Sequence, residues 1–370
     1  MESQPAVTTR ELSAGKQRCR IEIGAALLAR TGELIHEILI GPHCAIISDS
    51  NVAPLFGDRV KQSLTSSGFE PALITIPAGE TSKTLAQAGA ICDQMIAAGL
   101  DRQSFVIGLG GGMVGDLSGF VAAIYERGIP HVQIPTTLLA MVDSSIGGKT
   151  GVNASAGKNL IGAFHHPSLV IDDVDVLKML PHRQFNQGVA EIIKHAIIAD
   201  AEMFHKVAQA SGSRIDQDAS ETLALQQLIR RNIEIKSRIV AKDEFDQMEE
   251  RALLNFGHTV GHAIERAGDY REFLHGEAVS LGIVAACAIS IKKASLPKEQ
   301  RDAIVDLLSA FELPTRLPAN FPREKILEGL PFDKKFESGK IRFALTSKIG
   351  SAHLSRDVTL NDIREVIDQL

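Results

Sequence analysis

The chain has no surplus of positive charge, no paired-cysteine motif and no apolar run long enough to cross a bilayer, and each lack argues against a class of function. Its 39 Lys and Arg stand against 45 Asp and Glu, a formal net charge of -6, whereas a nucleic-acid binder carries a basic surplus or stripe. The four cysteines, Cys19, Cys44, Cys92 and Cys287, are scattered without a C-x-x-C pair. That suggests neither a disulfide framework nor a thiolate zinc site and fits the cytoplasm. Residues 1–20 are polar and do not read as a signal peptide. The longest apolar stretch, Val279 to Ile291, is too short and too rich in small residues to span a membrane and reads as a buried helix. Internal repeats and low-complexity segments are also missing.

With 370 residues, 44% hydrophobic and 23% charged, the chain is long enough for two packed domains. Its first half alternates short β-rich runs with helical patterns. Cys44 to Ser48, Ala72 to Ile76, Phe105 to Leu109, Val132 to Pro135 and Leu169 to Asp172 are expected strands, several of them continuously apolar as in a sheet covered on both faces. Between them, Leu85, Ala88, Cys92 and Met95 recur at helical spacing and Gly99 supplies a stop. The alternation predicts an α/β fold with a parallel sheet. After Leu180-Pro181 the strand signal fades, and long helical patterns run from Gln187 to Ile239 and from Leu253 to Ala294. A late β-like run at Ile341 to Leu345 and a terminal helix from Asn361 complete the pattern. The expected domains are therefore 1–181 and a mostly α-helical 182–370.

Chemistry-bearing residues gather at the ends of the expected strands. Gly108-Leu109-Gly110-Gly111-Gly112-Met113-Val114-Gly115-Asp116 follows a strand, where glycines let backbone approach a pyrophosphate and a helix directs amides at the anion. Ser48-Asp49-Ser50-Asn51 could bind ribose or adenine edges, and Pro77 to Lys83 forms a third polar loop. The stretch from Ile134 to Asn153, with Gly157-Lys158-Asn159-Leu160 behind it, offers lysines and an asparagine in mobile backbone suited to an anionic substrate. In Val189 to His195, the polar Glu191, Lys194 and His195 interrupt an apolar helix, and a buried carboxylate there needs either a lysine or a metal. His258 and His262, four apart, share a helix face, and His275 can return from the next helix to meet them. Buried imidazoles can also be satisfied by backbone groups, so this spacing alone leaves the metal reading open.

Taken in order, Pro77 to Lys83, Gly110 to Asp116, Pro135 to Asn153, Gly157 to Asn159, Glu191 to Lys194, Leu253 to Glu265 and Leu274 to Glu277 closely resemble the 3-dehydroquinate synthase family over nearly the whole chain. The resemblance implies a Rossmann-like NAD-binding domain, a mostly helical second domain, and an active site in the cleft between them. It implies one divalent metal, zinc or cobalt, on Glu191, His258 and His275, and turns His262 toward substrate instead. NAD would lie against Asp49, Asn51, Glu80, Lys83, Gly111, Gly112, Met113, Val114, Gly115, Asp116, Thr136, Thr137, Leu139, Ser144 and the Val176-Leu177-Lys178-Met179 turn, with Asp143, Lys149 and Lys158 nearer the nicotinamide. Substrate, an anionic sugar phosphate, would be met by Arg127, Asp143, Lys149, Asn159, Lys194, Lys236, Arg251, Leu254, Asn255, His262 and the Lys334-Lys335 pair. The family is usually a homodimer, in which the residue matching Arg127 reaches the neighbouring subunit.

The implied reaction converts 3-deoxy-D-arabino-heptulosonate 7-phosphate to 3-dehydroquinate and phosphate, a step of the shikimate route. Transient oxidation by NAD, β-elimination of phosphate, return of the hydride and an internal aldol closure succeed one another, so NAD is not consumed. Two stretches depart from the family pattern. Asp243 to Glu250 is one residue longer than the usual acidic loop, leaving Asp246 as the substitute partner for Arg251, and Val176 to Met179 lacks the usual aromatic and threonine, so that any NAD contact there uses backbone. The rival readings are another sugar-phosphate cyclase, a metal-dependent polyol or glycerol-phosphate dehydrogenase, which would release NADH, and a non-enzymatic nucleotide-binding protein.

Overall fold

The computed structural model describes residues 8–14, 17–210, 219–330, 336–337 and 340–370. It divides into two units. One runs to Pro181 and also takes in the part of a later helix up to Ile233; the other holds the chain from His182 onward apart from that stretch.

In the first unit the elements are β1 (Thr8–Ala14), β2 (Gln17–Gly24), α1 (Thr31–His36), β3 (His43–Asp49), α2 (Asp58–Ser66), β4 (Glu70–Ile76), α3 (Leu85–Ala97), β5 (Phe105–Gly110), α4 (Gly112–Ile124), β6 (His131–Pro135), β7 (Lys149–Ala154), β8 (Gly157–Phe164) and β9 (Leu169–Asp173). Seven strands form a sheet in the order β1-β2-β9-β6-β5-β3-β4. All neighbours are parallel except the edge pair β1 and β2. That antiparallel edge lies outside the parallel sheet expected from sequence, because the polar residues before Cys19 carry no strand signal. β5, β6 and β9 are buried along their whole length, as in a sheet covered on both faces; β5 reads as an apolar run, whereas β6 buries His131 and Gln133 and β9 buries Asp172 and Asp173.

One face of the sheet packs on α3 and α4. α3 turns Ala88, Ile91 and Met95 inward at helical spacing, and full burial of side chains like the last two stabilises by roughly 1.5–3 kcal/mol each. Thr84 Oγ1 caps it by accepting the Gln87 N–H at 3.1 Å, and Gly99, at φ 76°, ends it as expected. These residues join Ile47, Ile76, Val106, Leu117, Phe120 and Val152 in one core. The sheet order places β4 on one side of β3 and β5 on the other, so the carboxyl ends of β3 and β5 form a switch point where open α/β sheets bind ligands.

The sequence between Lys149 and Phe164 is not mobile loop. It folds as an antiparallel hairpin of β7 and β8, its strand pattern hidden by glycines and small polar residues.

The second unit contains α5 (His182–Ala199), α6 (Ala201–Ala210), the later part of α7 (Ala219–Lys242), α8 (His258–Ala267), α9 (His275–Ala294), α10 (Lys298–Ala310), α11 (Arg323–Gly329), the short β10 (Phe336–Glu337) and β11 (Lys340–Ile341), the hairpin β12 (Phe343–Lys348) and β13 (Ser351–Ser355), and α12 (Leu360–Gln369). The two long helical patterns are therefore interrupted. Between α8 and α9 the break follows from Asp269 and Tyr270, both left-handed at φ 51° and 56°. α5 is buried from Phe185 to Ile198 and packs on α9, which packs on α8. Among the described residues no helix is long and apolar enough to cross a membrane.

Candidate active site

Three helices of the second unit bring Glu191, His258 and His275 together. Glu191 sits mid-way along α5 with no exposure, while His258 and His275 each open a helix. Their Nε2 atoms lie 3.4 and 3.5 Å from Glu191 Oε1. Those separations are too long for good hydrogen bonds. They match two ligands of one tetrahedral ion, since bonds of roughly 2.0–2.1 Å place neighbouring ligand atoms about 3.3–3.4 Å apart. Neither Glu191 oxygen makes a contact with hydrogen-bond geometry, although both are buried; this is the donor set a divalent metal fits.

The outer nitrogens are engaged. His258 Nδ1 lies 3.2 Å from the Phe256 carbonyl and His275 Nδ1 lies 3.4 Å from Glu265 Oε2. Each contact leaves Nε2 turned toward Glu191. Glu265 is a residue the sequence reading left unassigned, although it lies one turn beyond His262 on α8.

Backbone contacts fix the helices at this point. Gly257, left-handed at φ 77°, caps α8, and a Cβ on Gly282 would stand 1.8 Å from its carbonyl oxygen. A Cβ on Gly276 would stand 2.6 Å from the Gln187 Cα of α5, and the Gly276 N–H donates to Gln187 Oε1 at 2.6 Å. Only hydrogen in place of a side chain allows these approaches.

Lys194, one turn after Glu191, places its Nζ 2.5 Å from Glu191 Oε2, with both side chains almost wholly buried. The lysine thus lies on the other carboxylate oxygen from the two histidines, and of the two partners the buried carboxylate called for, the structure shows the lysine in contact. Burial pushes the Glu191 carboxyl up, but the Lys194 ammonium and the His275 imidazole outweigh it and hold the group below the usual carboxylate range. For His275, burial lowers the pKa, and the neighbouring Glu191 and Glu265 carboxylates overcome that and take it up to about 10. His262, the first candidate ligand from helical spacing, is exposed, its ring centroid 5.1 Å from that of His258. The triad facing Glu191 is completed by His275 and not by His262.

Upstream, Arg251 and Asn255 belong to a short helical turn, Arg251–Asn255, packed against α5. Arg251 is buried and its Nη1 donates to the Glu244 carbonyl at 2.6 Å, within the acidic loop expected to meet it. Asp243 organises this loop by accepting from the Gln247 and Met248 N–H groups at 2.8 and 3.0 Å. Lys236 is buried on α7 and Leu254 is nearly so. The Lys334-Lys335 pair lies outside the described residues.

In the first unit, Asp49 ends β3 and accepts from the Asn51 N–H at 2.8 Å, holding Asn51 at the switch point. Beside it, α4 begins at Gly111 with no side chain capping it, which leaves the first-turn amides of Gly112, Met113 and Val114 to an anion. Gly115 and Asp116 follow in the same turn. After β6, Thr136, Ser144 and Ser145 bury hydroxyls that have no hydrogen-bond partner among the described residues, while Thr137 Oγ1 accepts the Ala140 N–H and Leu139 and Asp143 are half-buried. Such unsatisfied hydroxyls at strand ends fit a polar cofactor.

Lys83 is buried and meets Asp116 Oδ2 at 2.5 Å and Asn159 Oδ1, drawing together three residues read as separate cofactor or substrate contacts. Burial raises the Asp116 carboxyl and Lys83 opposes that. Lys149 is exposed at the start of β7 and Lys158 half-buried in β8. Val176 and Leu177 are buried, Lys178 pairs with Asp175 at 2.6 Å, and Met179 is exposed. Arg127 is exposed and left-handed at φ 69°, between Glu126 at 48° and Gly128 at 117°. Successive residues held there are strained, and such strain collects at functional sites.

The sequence matches the description "3-dehydroquinate synthase N-terminal" over residues 73–187 and "3-dehydroquinate synthase C-terminal" over residues 188–336. A curated 3-dehydroquinate synthase of Desulforamulus reducens is 43% identical over 98% of this chain and 99% of the relative. Among solved structures, a 2-deoxy-scyllo-inosose synthase complexed with carbaglucose-6-phosphate, NAD+ and Co2+ superposes with a TM-score of 0.84 at 25% identity, covering 98% of this chain and 99% of the other. A 2-epi-5-epi-valiolone synthase from Streptomyces hygroscopicus with NAD+ and Zn2+ bound gives 0.86 at 28%, covering 98% of each.

Proposed function

The chain belongs to the 3-dehydroquinate synthase family, and from that premise we propose how its residues divide the work of converting 3-deoxy-D-arabino-heptulosonate 7-phosphate to 3-dehydroquinate and phosphate. The observation that carries the reading is the Glu191, His258 and His275 triad at metal-ligand separations. When bound, the divalent metal polarises the substrate alcohol and NAD takes a hydride and later returns it. The chain's own residues bind and orient. We assign NAD binding to residues 1–181 and metal and substrate binding to 182–370, with the part of α7 up to Ile233 belonging to the first unit instead of the second.

The uncapped start of α4 takes the pyrophosphate, Asp49 and Asn51 the ribose, and Glu80, Lys83, Asp116, Thr136, Thr137, Leu139 and Ser144 the rest of NAD, with backbone of Val176 to Met179 alongside. Asp143, Lys149 and Lys158 face the nicotinamide side. Lys194, Lys236, Arg251, Asn255, His262, Asn159 and Lys335 hold the substrate's carboxylate, hydroxyls and phosphate, an electrostatic need for a chain of net negative charge. Arg127, exposed and strained, serves the neighbouring subunit of a homodimer. The four cysteines are free, in keeping with a cytoplasmic enzyme.

The test follows phosphate release from the heptulosonate phosphate together with absorbance at the NADH band. Phosphate without matching NADH is expected. NADH rising in step with turnover would move the chain to the dehydrogenases.

A further inference from the structure

We propose that Asn153, to which no role has been given above, is a positioning residue that builds the cofactor loop and the substrate hairpin of the first unit on one side chain. Three observations carry this. First, β7 and β8 lose register at this point: Val152 pairs with Ile161 and Ala154 with Gly157, so Asn153 alone stands opposite Lys158, Asn159 and Leu160. A bulge of this kind re-aims the residues it contains, and Asn159 is left-handed within it at φ 55°.

Second, the Asn153 amide bridges both sides. Its Oδ1 accepts the Asn159 N–H at 2.9 Å, replacing the ladder bond the bulge removes, and its Nδ2 donates to Glu80 Oε1 at 2.8 Å. The partners are an unambiguous donor and an unambiguous acceptor, so the orientation of the amide is fixed by its neighbours. Third, the backbone repeats the link: the Asn153 N–H donates to the Lys83 carbonyl at 2.8 Å, and Thr84 and Asn153 form a parallel bridge. Lys83 then returns to the Asn159 side chain. The loop Glu80 to Thr84 and the bulge Lys158 to Leu160 are thereby one piece, and disturbing either moves the other.

This inference rests on the assignment of Glu80 and Lys83 to NAD and of Asn159 to substrate. The test uses the metal-loaded enzyme, with NAD affinity measured by calorimetry without substrate, and kcat and KM from phosphate release at saturating NAD. Asn153→Asp keeps the acceptor for Asn159 and sets a carboxylate against Glu80. It should weaken NAD about tenfold while leaving kcat/KM for substrate within about threefold of wild type. Asn153→Ala should weaken NAD similarly and also lower kcat/KM at least about tenfold. Added to Asn159→Ala, it should cost nothing further in kcat/KM, because it acts through that residue.

Additive losses in the double variant, or an Asn153→Ala enzyme within twofold of wild type in both readouts, would overturn the proposal. An Asn159→Ala single variant with wild-type kcat/KM would overturn it from a different side, by showing that Asn159 does not meet substrate. Asn153→Asp is the smaller change and keeps the test open if the alanine variant folds poorly.

Discussion

Glu191 in the second unit and Asp172 in the first are both carboxylates with no solvent exposure, and their surroundings drive them in opposite directions. Around Glu191 stand the Lys194 ammonium and the His275 and His195 imidazoles, which overcome burial and keep it ionised. Both Asp172 oxygens have no hydrogen-bond partner among the described residues, and burial alone pushes its carboxyl well above the usual range. Burial is thus common to both, and the neighbouring charges decide whether the group is an anion ready to hold a cation or a neutral acid in a core.

The sharpest way to break the comparison is to strip Glu191 of a partner. His275→Ala should lose most of its bound metal and lower turnover more than about a hundredfold, because even an outer residue of a metal site is worth roughly 10–100-fold. Glu265→Gln, one contact further out, should weaken metal binding by about that smaller factor. Metal content by elemental analysis beside activity checks both, and full occupancy in the His275 variant would refute the ligand assignment.

Lys194→Ala comes next. If the lysine serves substrate while also resting on Glu191, kcat/KM should fall about ten- to a hundredfold, the equivalent of roughly 1.5–3 kcal/mol for a charge-assisted contact. Metal content and melting temperature of the metal-loaded protein should stay near wild type. A variant that loses metal and unfolds would assign the lysine to the fold alone.

Asp172→Asn should act in the other direction and stabilise the protein. The folded pKa is raised above the unfolded one, so any stability linked to the proton is complete below about pH 3.9 and is lost as pH rises toward the folded value. Each pH unit in that window costs about 1.4 kcal/mol. The gain in melting temperature of the variant over wild type should therefore be larger at pH 8 than at pH 5; a constant gain would show that Asp172 is ionised in the fold.

The smallest effect extends the same logic to thiols. Burial pushes Cys19, Cys44 and Cys287 up to about 12 and raises the half-buried Cys92 less. Native protein at pH 8 should thus react with a disulfide reagent at Cys92 first, and rapid modification of the other three would contradict their burial.

Much of this was legible in the sequence where a periodic pattern meets a buried face. β3, β5 and the start of β9 announce themselves as apolar runs, and α3 shows its terminal glycine; of its expected stripe Ala88 and Met95 face inward, while Leu85 is exposed and Ile91 takes the place of the half-buried Cys92. Glu191, His258 and His275 converge as the family pattern implies, yet helical spacing alone favours His262, because it records which residues share a face and not which nitrogen faces a neighbouring helix. The β7 and β8 hairpin was hidden for a related reason. Gly151, Gly157 and Gly162 mask the alternation of a strand, and the contacts that fix its bulge at Asn153 and Asn159 come from Glu80 and Lys83, distant in sequence. Asp172 gives no signal at all in a run of acids, since periodicity does not reveal that one of them faces a core without a partner.

The glycines between the helices of Glu191, His258 and His275 have a mechanical meaning. Gly257, Gly276 and Gly282 let main chain rest directly on main chain, so the spacing of α5, α8 and α9 is set by the stiffest material the protein has. Side chains elsewhere can change size or rotamer and be absorbed by neighbours that shift a few tenths of an ångström. At these seats there is no compliant layer to take up the error. The Glu191, His258 and His275 cluster is consequently machined to a tighter tolerance than the core around it.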